Sequence, residues 1–290
     1  MTRNLIINAD DFGLNSGVNR GIIECHQKGI VTSTTLMVNC PGTKEAAELA
    51  KENPELGVGL HFNVTVGQPI SKRISSLTDK DGFFWPRKQF EKKAVTGKIM
   101  PKDIEEELHL QWDILESLGI TATHIDSHQH VHALPGISSI VLAFAKEKNV
   151  PVRIPQEKNI MHHVLSLRSI HPKNILTLLR KQLLNFYCQH FRRDALKQQV
   201  KTNDHFMSIF GFWPPIRTIT VDTYTSLFKK MTEGTTELMV HPADISTPAT
   251  SNFTTSITHI SMQEMKLLQD PTLKKTIQAC SIQLVSYKNM

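Results

Sequence analysis

Along this chain, short apolar runs alternate with longer stretches in which apolar residues recur three and four positions apart. Leu5 to Ala9 reads as a strand buried on both faces, and Ser33 to Val38, Val58 to Asn63, Ala122 to Asp126 and Pro151 to Ile154 repeat the pattern. Between them Ser16 to Lys28, Lys44 to Glu52, Lys102 to Leu118 and Ile137 to Lys148 carry helical spacing, with Pro101 starting the third of these. Further strands are expected at His205 to Ile209, Glu237 to His241 and Ile282 to Tyr287, separated by helices at Val221 to Met231 and Met262 to Ala279. Repeated strand-helix units build a parallel sheet, open or closed, with helices outside. The 290 residues hold no repeat, low-complexity tract or linker, so residues 1–290 are expected to form a single domain around one core.

Two segments interrupt the rhythm. Residues 69–100 make a long connection in which Asp81-Gly82-Phe83-Phe84-Trp85-Pro86 sets three aromatics on a turn. Residues 156–201 form a basic helical insertion with nine Lys or Arg against two acids, a local +7 that leaves the rest of this +6 chain at −1. A helix from Asn174 to about Phe191 is expected there, with Ile175, Leu176, Leu179, Leu183, Phe186 and Tyr187 in an apolar stripe and Arg180, Lys181 and Arg192 elsewhere. Such a helix packs on its own domain or on a second copy of the chain, which makes a homodimer the expected protein partner. An anionic surface is the other reading, and no nucleic-acid-binding motif accompanies the charge.

Composition narrows the class further. Cys25, Cys40, Cys188 and Cys280 are widely spaced and show no CxxC pair, so buried free thiols are expected, not a disulfide framework or a zinc knuckle. The first residues run straight into a strand without the succession of a signal peptide, and no apolar run approaches the ~18 residues of a membrane helix. A cytoplasmic location is the expectation.

The polar residues that carry chemistry stand at strand ends. Asp10 and Asp11 follow the first strand, His61 ends the third, Asp126 and His128 the fourth, Arg153 the fifth, and His241 a late one. Loops at the C-terminal ends of parallel strands converge on one mouth, where barrels of this class assemble their sites. Two neighbouring carboxylates repel, and burying them demands a compensating positive charge. Two histidines and a carboxylate on three strand ends make a facial triad with open positions, as a catalytic divalent ion requires. His128, His130 and His132 share one face only if the chain stays extended.

NADDFG, GLHFNVT, THIDSHQHVHALP and MVHPAD, in that order, resemble the motifs of the YdjC family of carbohydrate deacetylases, over residues 3 to about 287. The resemblance implies a distorted (β/α) barrel of about seven parallel strands, related to polysaccharide deacetylases. It also implies one divalent ion, Mg²⁺ or Zn²⁺, held by Asp11, His61 and His128, with Asp10 as the catalytic base. The substrate would be an N-acetylated sugar, and the reaction hydrolysis of its amide by water activated on the ion. His241 is then the candidate acid, Asp126 and His130 candidates to orient the ligands, and Arg153, Phe84 and Trp85 candidates to bind the sugar. Two other readings remain open: a metal-dependent phosphoesterase, which would need carboxylates bridging a second ion, and a non-catalytic sugar-binding protein.

Overall fold

The structure is a computed structural model, and it describes residues 2–157, 172–209, 218–246 and 255–290. In chain order the elements are β1 (Arg3–Phe12), α1 (Ser16–Gln27), β2 (Ser33–Leu36), α2 (Thr43–Glu52), β3 (Gly57–Phe62), α3 (Arg87–Val95), α4 (Pro101–Ser117), β4 (Ile125–Ser127) and α5 (Ser138–Lys148). Then follow α6 (Pro172–Gln198), β5 (His205–Ser208), α7 (Val221–Lys229), β6 (Gly234–Val240), α8 (Thr255–Leu268), α9 (Pro271–Ala279) and β7 (Ile282–Leu284).

The seven strands form one parallel sheet, six of them in the order β4-β3-β2-β1-β6-β5 and β7 paired to β1 off this path. β1 is its hub. β6 lies along one side from Arg3 to Ala9, while the other side is shared, β7 pairing with Arg3 to Leu5 and β2 with Asn8 to Phe12. The sheet curls until its edges meet through single bridges, Ile125 to Val152 and Val152 to Thr202. The expected strand at Pro151 to Ile154 is reduced to that contact, which makes the barrel distorted.

Side-chain parity along β1 divides the molecule. Leu5, Ile7 and Ala9 join the hydrophobic core under the helices, whereas Asn8 and Asp10 are buried on the other face, inside the barrel. That polar interior is what positions the site.

Besides the lost strand at Pro151 to Ile154 and α3, which falls in the stretch read as a long connection, three elements differ from their sequence expectation. β1 continues through Asp10 and Asp11 to Phe12, its register against β2 shifting between Ala9 and Phe12. The helix expected from Met262 to Ala279 is two helices, because Asp270 caps Thr272 N and Pro271, lacking an N–H, starts a new helix. On α6, Leu179, Leu183 and Phe186 are exposed, while Cys188, Phe191 and Ala195 are the buried side. The chain offered two apolar faces there and packing took the second; the side chains of Ile175 and Leu176, and residues 158–171 of the insertion, lie outside the described residues. All four cysteines are free. Among the described residues no helix is long and apolar enough to cross a membrane.

Candidate metal centre and active site

Adjacent residues of a regular strand point to opposite faces, so Asp10 and Asp11 should be separated by the sheet. The bulge in β1 removes that separation. Asp11 takes the left-handed conformation, φ +70°, which Asp tolerates better than most residues, and the irregularity turns its carboxylate to the barrel mouth beside that of Asp10.

Asp11 there meets two histidines. Its Oδ1 lies 2.8 Å from His128 Nδ1 and 3.1 Å from His61 Nε2. His61 ends β3, and His128 opens the 3₁₀ turn His128–Ala133, in which Gln129 and His130 both adopt positive φ and reverse the chain. On the far side of the His61 ring, Nδ1 stands 2.7 Å from Asp126 Oδ1 and 3.0 Å from Thr35 Oγ1. An ionised carboxylate only accepts, so the proton sits on Nδ1. Nε2 faces Asp11, buried and without a hydrogen bond.

That orphaned nitrogen tests whether a cation fits. Against burial, which would lower it, the Asp126 and Asp11 carboxylates push His61 up to about 10. The two His128 and His61 side chains hold Asp11 well below the usual carboxylate range despite its burial. The cluster therefore favours one added positive charge between Asp11 and the imidazoles. Asp11, His61 and His128 can bring one ligand atom each to within 4.8 Å of the others, a carboxylate oxygen and two ring nitrogens, the donor set of a divalent transition ion.

Beneath this cluster lies Arg153, entirely buried. Its guanidinium grips Asp10 through two bonds, Nη1 to Oδ2 at 2.7 Å and Nη2 to Oδ1 at 2.6 Å, and also meets Asp126 Oδ2 and Glu237 Oε1, each at 2.6 Å. Burial opposes ionisation of Asp10, yet Arg153 prevails and holds its carboxyl far below the ordinary value. Asn8 Nδ2 adds a third donor to Asp10 at 3.0 Å. A second group of possible ligands, Asp10, His61 and Asp126, has its carboxylates already neutralised by the guanidinium. At the rim His241 Nε2 stands 4.0 Å from Asp10 Oδ2, and its main-chain N–H donates to the buried Glu264 at 2.6 Å.

The remaining sequence candidates fall elsewhere. Arg153, expected to grip substrate, is fully buried among the carboxylates of Asp10, Asp126 and Glu237. Phe84 is buried in the core, while Trp85 is half-buried, donates from Nε1 to Ser76 O at 3.1 Å and carries Lys93 Nζ 4.1 Å over its ring. Phe84 offers no free face, and Lys93 covers one face of Trp85; of the three aromatics Phe83 is the exposed one. His130 sits edge-on to Phe206 and His132 and does not touch the ligand group. His132 instead braces the turn, bonded to Ser127 Oγ and to Arg153 O. Sequence reasoning missed Thr35, Glu237 and Tyr287. A single glutamate inside the apolar run Thr236-Glu237-Leu238-Met239-Val240 was the available signal for one of them.

Fold and site together define a class: a parallel α/β barrel with an Asp-His-His centre at its mouth. Within it, this chain belongs to the YdjC family, whose model, described as YdjC-like protein, matches residues 4–279. The chain is 36% identical over 292 residues to a carbohydrate deacetylase of Brevibacillus brevis, covering 99% of both chains. It is 35% identical over 291 residues to a chitooligosaccharide deacetylase of Proteus mirabilis, covering 100% of both. A crystal structure from Enterococcus faecalis, provisionally named a cellobiose-phosphate cleavage protein, superposes with a TM-score of 0.74 at 27% identity, covering 100% of this chain and 99% of that one.

Proposed function

We propose that this protein is a metal-dependent deacetylase of N-acetylated sugars. The observation that carries the reading is the pairing of a cation-seeking Asp11-His61-His128 group with a separate carboxylate, Asp10, that arginine keeps ionised. Full-length relatives named carbohydrate and chitooligosaccharide deacetylase support the substrate class. The expected fold and divalent ion are consistent with this donor set, which suits Zn²⁺ and its transition-metal neighbours better than Mg²⁺.

Asp11, His61 and His128 would hold the ion, with Asp126 fixing the His61 tautomer. Bound there, a divalent ion lowers the pKa of water toward ~7 and polarises an acyl oxygen. Asp10 accepts the proton of the attacking water. Its depressed proton affinity makes it a transient holder: His241, 4.0 Å away, protonates the departing amine nitrogen and takes up in return the proton held by Asp10. The C–N bond breaks, acetate is released, and the sugar keeps a free amine. A phosphoesterase using two ions would need the second carboxylate group, and Arg153 occupies it.

The test is acetate release from N-acetylglucosamine oligomers and the monomer, before and after chelation and with single ions restored. Activity lost on chelation and regained with Zn²⁺, Mn²⁺, Co²⁺, Ni²⁺ or Mg²⁺ is the expected result. Acetate release that survives complete metal removal, or none from any acetylated sugar, overturns the reading.

A further inference from the structure

We propose that Glu237 and Tyr287 are positioning residues for the base, a buried column that fixes the Arg153 guanidinium and through it the direction of the Asp10 carboxylate. The inference rests on the reading of Asp10 as base and adds two residues that touch neither substrate nor ion.

Arg153 carries its N–H donors in a rigid plane, and all three of its nitrogens have a carboxylate oxygen within 2.7 Å, through three hydrogen bonds and two further ion-pair contacts. The Nη1/Nη2 edge faces Asp10, and Nη1 also meets Asp126. The Nε/Nη2 edge faces Glu237, whose Oε1 accepts from Nε at 2.7 Å and lies 2.6 Å from Nη2. A fork pinned on one edge still swings about that edge. Pinned on two, it has one orientation, and Asp10 is held to it by two bonds.

Glu237 is itself fixed from below. Its second oxygen, Oε2, accepts the Tyr287 hydroxyl at 2.6 Å. In the strand register Glu237 pairs with Ile6, four residues before Asp10, so its side chain reaches the guanidinium from deeper in the barrel. Tyr287, in the 3₁₀ turn Tyr287–Asn289 beyond β7, reaches in from the opposite end to the mouth.

Space filling does not explain the hydroxyl. The Tyr287 ring stacks on His124 with centroids 3.8 Å apart and planes 10° from parallel, and its main-chain N–H donates to Ser33 Oγ at 3.2 Å. His124 has room there because β3 carries Gly59, where a Cβ would stand 2.5 Å from the imidazole. Phenylalanine would fill the same space. A carboxylate buried completely in the barrel interior is costly unless it is fully bonded, and the phenol completes the bonding of Glu237.

The experiment compares Tyr287→Phe and Glu237→Gln, each in the wild-type chain and in Asp10→Asn, under saturating metal with bound metal measured. Tyr287→Phe should lower kcat for acetate release about tenfold while KM and metal content stay unchanged. In the Asp10→Asn background the same change should cost nothing further, since no base remains to be aimed. A general loosening of the barrel would lower the residual rate of Asp10→Asn as well. Full kcat in Tyr287→Phe, an equal loss in both backgrounds, or a loss traced to missing metal each overturns the inference. Should Tyr287→Phe fail to fold, Glu237→Gln decides on the same criteria. Wild-type chain without acetate release, or Asp10→Asn with full rate, overturns the base reading itself and the positioning role with it. When both controls behave, a null effect of Tyr287→Phe sinks the inference alone.

Discussion

At the scale of the residue, the two neighbouring aspartates differ in what holds them. Asp10 is clasped by Arg153 and Asn8, Asp11 faces His61 and His128, and the left-handed backbone at Asp11 allows both to reach the same mouth. Asp10→Asn keeps size but accepts no proton, so kcat should fall by roughly 10² to 10⁴ with little change in metal affinity. Asp11→Asn removes an anionic ligand and should weaken the ion first, so that excess metal restores part of its rate. A titration of metal against acetate release distinguishes the two, and rescue of Asp10→Asn in place of Asp11→Asn would mean exchanged roles. The residue pattern displayed both carboxylates, and their division came only through the family resemblance, because parity alone sends neighbours to opposite faces and only the bulge brings them together. Arg153 was legible as a strand-end residue, yet its burial among three carboxylates depends on partners from β1, β4 and β6 that no local pattern reveals.

Elements were legible where their signals are local and missed where packing decides. The parallel run of the strands follows from the helices between the apolar runs, since parallel strands need crossovers, whereas the break at Asp270-Pro271 was written in the chain as a cap followed by a helix-starting proline. The aromatic loop shows the limit more sharply. Phe83, Phe84 and Trp85 look alike in sequence, but an isolated bridge between Thr78 and Phe84 turns Phe84 inward and leaves Phe83 outside. Phe84→Ala should therefore destabilise the fold by about 3 to 5 kcal/mol, and Phe83→Ala should change stability by no more than ~0.5 kcal/mol. Denaturant midpoints at constant slope check both. Equal effects would mean that the loop is packed otherwise than described. A rise in KM for oligosaccharide on Phe83→Ala, with the monosaccharide unaffected, would give the exposed ring a sugar-binding role that Phe84 cannot have.

For the whole molecule, the polar interior sets the response to pH. Burial pushes His124 down to about 3 and His132 down to about 4, against 6.5 for an ordinary histidine. Between those values and 6.5 the unfolded chain binds more protons than the native one, so these groups stabilise above pH 6.5 and that stability is lost on acidification. Buried Glu237 and Glu264, pushed up by burial, act in the opposite sense. A difference isolates the histidine: from pH 6.5 toward 4, the stability gap between wild type and His132→Gln should narrow by up to about 1.4 kcal/mol per pH unit. A gap that stays constant or widens contradicts a neutral, buried His132. The place of β1 also governs time. One of its neighbours, β2, arrives within a few dozen residues, but β6 and β7 come from the opposite end of the chain, and both must dock before the strand is enclosed. Loops of that length close slowly, so refolding is expected to be late in completing the barrel, with Leu5-Ile6-Ile7 presenting an open, sticky edge in the meantime. Since Tyr287 follows directly on β7, activity should return with the slowest kinetic phase, and faster-forming collapsed species should be inert.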